Sequence, residues 1–178
     1  MGGRNMVIVY TGDGKGKTTA AVGLAVRAAG HGKKVIVIQF IKSPHRPYGE
    51  AKIFQQLGIP VHQTGVGFTW TKTPAEHREA LQKGWALAKE CVQSGMYDVV
   101  ILDELNVALA ITSFPIDDVL PLQDVIHTLA NKPAHTHVIV TGRGAKEEMI
   151  ELADLVTEMK EVKHYYREGV HAIKGIDL

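Results

Sequence analysis

Hydrophobic and polar positions alternate along the chain between short, wholly apolar runs and longer segments of helical period. Val7-Ile8-Val9-Tyr10 reads as a buried strand, and the segment Thr18 to Ala29 as the alanine-rich helix that follows it, with Gly30 and Gly32 as stops. Val35 to Phe40 is again almost entirely apolar, the signature of a strand covered on both faces. Glu50 to Leu57 predicts a short helix closed by Gly58, and Val61 to Thr64 a short strand. Thr73-Pro74-Ala75-Glu76 combines a capping threonine, proline at the first helical position and the glutamate of a capping box. The helix it opens runs through Leu81, Trp85 and Ala88 to about Gln93, and Gly95 ends it. Tyr97 to Leu102, His137 to Thr141 and Leu155 to Met159 predict further strands. Leu122 to Ala130, with proline at its first turn, and Ala145 to Leu152 predict helices. Strands alternating with helices predict a three-layer α/β fold with a mainly parallel sheet, as one domain over residues 1–178.

Two stretches break this alternation. Between the first strand and first helix lies TGDGKGKTT, residues 11–19. Strand, glycine-rich loop with Lys-Thr, then helix is the context of a phosphate-binding loop. Backbone N–H groups of Gly12, Asp13, Gly14, Lys15, Gly16, Thr18 and Thr19 can cradle a polyphosphate, aided by the positive end of the helix. Gly14 and Gly16 are expected at positive φ, where the backbone approaches the oxygens closely. Lys17 adds a point charge, and the Thr18 hydroxyl suits Mg²⁺. Thr11 stands where the usual spacing has glycine, and Lys15 is an extra lysine inside the loop. The second stretch, GVGFTWTKT at 65–73, sets Phe68 and Trp70 among glycines and threonines outside any helical period. Those aromatics serve either the core or a flat hydrophobic ligand.

Two further strand ends carry chemistry. Asp103-Glu104 follows a buried strand, and carboxylates there hold a metal or decorate the next helix start. Arg143, in Thr141-Gly142-Arg143-Gly144, opens on the same sheet edge and either reaches phosphate or ribose or is a solvated turn residue.

Composition narrows the classes. The net charge of +1, from 20 basic and 19 acidic residues, leaves no broad electrostatic footprint for nucleic acid. No apolar run is long enough to span a membrane and the first residues carry no signal peptide; with one cysteine no internal disulfide is possible, and a cytoplasmic location is expected. Cys91 is the only cysteine and reads as a buried structural thiol. The nine histidines show no metal spacing, and no catalytic triad is evident.

Taken together the motifs resemble the P-loop ATP:corrinoid adenosyltransferases, or cob(I)alamin adenosyltransferases. The matching pieces are TGDGKGKTTAA at 11–21, RAAGHGKKV at 27–35, QFIK at 39–42, GFTW at 67–70, VVILDELN at 99–106, VIVTGRG at 138–144, ADLVTEM at 153–159 and VKH at 162–164. The family's loop also lacks glycine at the place of Thr11. Some members carry an N-terminal segment that helps close the site; this chain begins almost at its first strand, so another element is expected to close the site, or it stays more open. The resemblance implies a RecA-like fold and ATP bound in a reversed sense. It implies attack of a Co(I) corrinoid on the 5′-carbon of ATP, with tripolyphosphate expelled. Lys17, Lys15 and the loop amides would stabilise the leaving triphosphate. Thr18 and Glu104 would hold Mg²⁺, with Mn²⁺ as an alternative, and Phe68 and Trp70 would occupy the lower axial face of cobalt and assist its reduction. A flavin or flavoprotein reductant and a homodimer are further implications. Two other readings are an ordinary P-loop phosphotransferase releasing ADP, and a RecA-like nucleotide-switched module that binds nucleic acid or protein.

Overall fold

A computed structural model describes residues 5–45, 48–67 and 72–177. Six strands form one all-parallel sheet: β1 (Val7–Thr11), β2 (Val35–Gln39), β3 (Val61–Gln63), β4 (Val99–Asp103), β5 (His137–Thr141) and β6 (Leu155–Glu158), in the order β3-β2-β4-β5-β1-β6. Helices are α1 (Lys17–Gly30), α2 (Gly49–Gln56), α3 (Pro74–Gln93), α4 (Leu105–Leu109), α5 (Leu122–Ala130) and α6 (Glu147–Leu152), with a 3₁₀ turn over Tyr165–Glu168.

Strand alternation sorts the apolar side chains into two cores. Val7, Val9, Ile36, Ile38, Val100, Leu102, Val138 and Val140 pack with Leu81, Trp85, Leu129 and Met149 of α3, α5 and α6. Val35, Val37, Val99, Ile101 and Ile139 point the other way, against Ala21 and Ala25 of α1 and Phe54 of α2. This explains the continuous apolar runs: strands covered on both faces have no polar side. The expected capping box of α3 forms, with Thr73 and Glu76 exchanging hydrogen bonds and proline at the helix start. The Trp85 indole N–H donates to Asp124 at 2.7 Å, so that core aromatic keeps its polar edge satisfied. Cys91 is buried, and burial raises its thiol pKa, as a structural thiol requires.

Several boundaries differ from expectation. Phe40 is buried but lies beyond β2, where its N–H donates to the Asp103 carbonyl. Asp103 belongs to β4 rather than following it, and Tyr97 precedes the strand. Pro121 caps α5 instead of entering its first turn, and α6 begins at Glu147. The short helix α4 is not among the elements that the sequence pattern predicts.

The topology positions the site. β1 and β2 are not neighbours, because β4 and β5 lie between them. The carboxyl ends of β1, β4 and β5 therefore open side by side where the strand order reverses, a natural place for a ligand.

Candidate active site

The 12–16 loop turns sharply after β1. Gly16 caps α1 at φ 119°, and Gly12 has φ 94°. Gly14, expected at positive φ, is not among the positive-φ glycines. It is small for another reason: a Cβ there would lie 2.7 Å from the Lys160 carbonyl, and the Gly14 N–H donates to the Met159 carbonyl at 2.7 Å. The loop is thus braced against the chain leaving β6.

Around the loop lies a cleft of about 860 Å³, large enough for a nucleotide. Asp13, Gly14, Lys15, Gly16, Lys17, Thr18 and Thr19 form its floor, Glu104 and Arg143 face them, and Lys42, Tyr48 and Glu50 stand at one side. The expected loop, Glu104 and Arg143 are therefore brought together; Gly12 lies in the turn behind, packed on Met159. Lys17 donates to the Gly14 carbonyl at 2.6 Å. Burial, then the nearby Arg143, lowers its pKa, opposed by Asp13 and Glu104. Phe68 and Trp70 lie outside the described residues. Gly65, Val66 and Gly67, just before them, line an apolar cavity of about 160 Å³ with Phe40, Leu81 and His77. Ile41 and Val107 border both this cavity and the cleft.

Asp103 organises the side of the cleft next to Thr18. It is 1% exposed, and every lone-pair direction of its carboxylate is used. Oδ1 accepts from the Thr18 and Thr141 hydroxyls, each at 2.8 Å. Oδ2 accepts from Gln39 Nε2 and Lys42 Nζ, each at 3.0 Å. Gln39 is held in turn by Gln63 at 3.0 Å, and Lys42 also pairs with Glu50 at 2.9 Å. Burial works against the Lys42 charge, but Asp103 and Glu50 outweigh it and raise its pKa well above the usual lysine range.

Glu104 is in the opposite condition. Its φ is 62°, the one positive value outside glycine among the described residues. Its N–H is anchored on Thr141 Oγ1 at 2.9 Å. Burial, then the Asp103 charge beside it, raises its pKa, against the pull of Lys42, Lys17 and Arg143. Its carboxylate lines the cleft from a strained backbone, facing the charges of Lys42, Lys17 and Arg143.

This donor set suits a hard divalent cation. Thr18 gives its proton to Asp103, leaving oxygen lone pairs for a metal. Glu104 supplies an anionic oxygen. One hydroxyl and one carboxylate match Mg²⁺ or Mn²⁺, which complete their shells with phosphate and water. Among the described residues no group of three or more His, Cys, Asp or Glu could hold a metal by itself.

Lys42 and Gln39 carry no site signal of their own in the sequence, and Asp103, one of the two carboxylates expected at that strand end, is engaged by protein donors. The contact that reveals them is the β2–β4 register, which sets Gln39 beside Asp103.

Comparison with known proteins decides the family. Residues 3–178 match the family model described as ATP:corrinoid adenosyltransferase BtuR/CobO/CobP. The chain belongs to that family. A corrinoid adenosyltransferase of Escherichia coli is 43% identical over 98% of this chain and 86% of its own length. The corrinoid adenosyltransferase CobA of Salmonella typhimurium shows the same identity over 98% of this chain and 86% of its own. A relative of the same name from Pseudomonas aeruginosa is 40% identical over 98% of this chain and 84% of its own. The all-parallel sheet agrees with the expected P-loop fold. No helix among the described residues is long and apolar enough to cross a membrane.

Proposed function

We propose that the cleft carries out the family's reaction with Lys15, Lys17, Arg143, Thr18 and Glu104 as its working groups on the ATP side. The chain is an ATP:corrinoid adenosyltransferase, with ATP and a corrinoid as substrates. The observation that carries the division of labour is the contrast between the two adjacent carboxylates. Asp103 is saturated by protein donors, and Glu104 is left facing the cleft.

The Co(I) centre of the corrinoid is the nucleophile. Its electron pair forms the bond to the 5′-carbon, the C5′–O bond breaks, and its electrons leave with tripolyphosphate. No protein base is needed, because no proton moves. The loop amides and the two lysines stabilise charge growing on the leaving oxygens. The same contacts orient the 5′-carbon. Mg²⁺, or Mn²⁺ in its place, held by Thr18 and Glu104, would neutralise part of that charge. Asp103 does not touch the metal in this account; it orients the Thr18 hydroxyl.

The corrinoid side rests on Phe68 and Trp70. The shared walls Ile41 and Val107 support a corrinoid placed next to the nucleotide. The aromatics would exclude a lower axial ligand and ease reduction from Co(II) by a flavin or flavoprotein. A cytoplasmic homodimer acting in adenosylcobalamin synthesis or salvage completes the proposal. An anaerobic assay with Mg-ATP and chemically reduced cobalamin tests the reaction. A light-sensitive alkylated corrinoid together with tripolyphosphate is expected. ADP and phosphate with an unchanged corrinoid would overturn it in favour of a phosphotransferase.

A further inference from the structure

The cleft has a wall that no motif announces. Gly175, Ile176 and Asp177 line it opposite the phosphate-binding loop. The contact is specific. Lys15 Nζ lies 2.8 Å from Asp177 Oδ1 and donates to the Ile176 carbonyl at 2.8 Å. An ammonium has three N–H donors, so this segment takes two of those on Lys15.

Asp177 is pre-positioned for that contact. Its carboxylate accepts from the Tyr165 hydroxyl through both oxygens and from the Ile173 N–H at 2.8 Å. The Asp177 N–H closes the turn on the Ile173 carbonyl at 2.8 Å. The side chain of Asp177 is 15% exposed, against 38% for Lys15. The Ile173 N–H, Lys15 and Tyr165 together hold the carboxyl far below the usual carboxylate range.

A fixed anion on a lysine of a polyphosphate cradle has a consequence. Polyphosphate and Asp177 both need the Lys15 donors. We propose that Asp177 acts through Lys15 as a built-in competitor of the polyphosphate, weakening the loop's hold so that tripolyphosphate departs after transfer. This rests on the adenosyltransferase reading, in which the leaving group carries more charge than the part transferred.

Calorimetric titration with sodium tripolyphosphate in the presence of Mg²⁺ tests it on four full-length proteins: parent, Asp177→Asn, Lys15→Met and the double variant. Ion pairs at partly exposed positions set the scale, so Asp177→Asn is expected to bind tripolyphosphate on the order of fivefold tighter. Lys15→Met binds more weakly, and Asp177→Asn adds nothing in that background. In steady state Asp177→Asn lowers KM for ATP and strengthens inhibition by tripolyphosphate, a split that a merely structural role would not produce. Tyr165→Phe, which loosens the carboxylate but keeps its charge, shifts affinity the same way by less. Equal or weaker binding by Asp177→Asn overturns the proposal. So does an equal gain with and without Lys15, which would mark a general charge effect. If the parent binds ATP but not tripolyphosphate, and Asp177→Asn still tightens ATP, the transferase reading fails while competition for Lys15 stands.

Discussion

Replacing Asp103 with asparagine gives the sharpest test of how the metal side is built. The change keeps size and shape but turns one acceptor oxygen into an NH₂ donor. Four donors surround the carboxylate: Thr18, Thr141, Gln39 and Lys42. Whichever way the amide is turned, two of them face an NH₂ group. Facing Gln39 and Lys42 sets it against a charged ammonium and against an amide whose oxygen is already engaged by Gln63. Facing the two threonines costs less, because hydroxyls rotate and can accept. That orientation is the one expected. The loss is then the Coulomb attraction to Lys42, whose side chain is 14% exposed, and the charge assistance in two hydrogen bonds. Breaking a buried pair costs about 3–5 kcal/mol, and hydrogen bonds to charged groups contribute about 1.5–3 kcal/mol. Lys42 keeps Glu50 as a partner, which brings the expected loss to about 2–4 kcal/mol. Urea unfolding measures it as a lower midpoint at unchanged slope. The second effect is on function. A Thr18 hydroxyl that accepts from the amide points its proton into the metal position, so Mg²⁺ dependence shifts to higher concentration even where the variant is fully folded. Stability within 0.5 kcal/mol of the parent together with an unchanged Mg²⁺ dependence would refute the reasoning.

The adjacent carboxylate behaves oppositely. Because the Glu104 pKa is raised in the fold, its ionisation destabilises the nucleotide-free protein. That destabilisation is absent below the unfolded-chain value near 4.3 and complete once pH exceeds the raised folded value. Glu104→Gln should therefore raise the melting temperature of the nucleotide-free protein at neutral pH while Mg²⁺ no longer strengthens ATP binding; a lower melting temperature or retained Mg²⁺ dependence would count against it. In the parent, Mg²⁺ affinity should fall as pH drops through that raised value, as followed by Mg²⁺ titration of the ATP complex. Gly14→Ala places a Cβ 2.7 Å from the Lys160 backbone, and should lower both the unfolding midpoint and ATP affinity as the loop lifts off. Phe68→Ala with Trp70→Ala should suppress Co(II) reduction and turnover while sparing ATP affinity; unchanged reduction would remove the aromatics from the mechanism.

Much of this architecture is local in the sequence. The runs Val35 to Phe40 and Tyr97 to Leu102 read as buried strands because burial on both faces removes polar positions, although the strands themselves span Val35–Gln39 and Val99–Asp103. The α3 start was legible because its cap, proline and glutamate act within one turn. The loop, Glu104 and Arg143 were legible because they follow strand ends that a parallel sheet must gather on one edge. What escaped notice depends on long-range contact. Lys42 gains its role only when β2 lies against β4, and Asp177 only when the segment holding Ile176, 161 positions downstream of Lys15, folds back onto the loop. The helix α4 was hidden by its length, since Leu105–Leu109 is too short to show a period and follows a residue with φ 62°. Gly14 was identified as necessary but for the wrong cause: the loop needs it for the passage of Lys160, not for its own dihedral.

The central claim is that ATP is cleaved at carbon and not at phosphorus. ATP carrying ¹⁸O in the oxygen that bridges C5′ and the α-phosphorus tests it directly, with Mg²⁺ and a chemically reduced corrinoid under anaerobic conditions. Mass spectrometry of the products should find the label in tripolyphosphate and an adenosylated corrinoid free of it. Label retained in a nucleoside phosphate would contradict the account, because the bond to the 5′-carbon would then have survived.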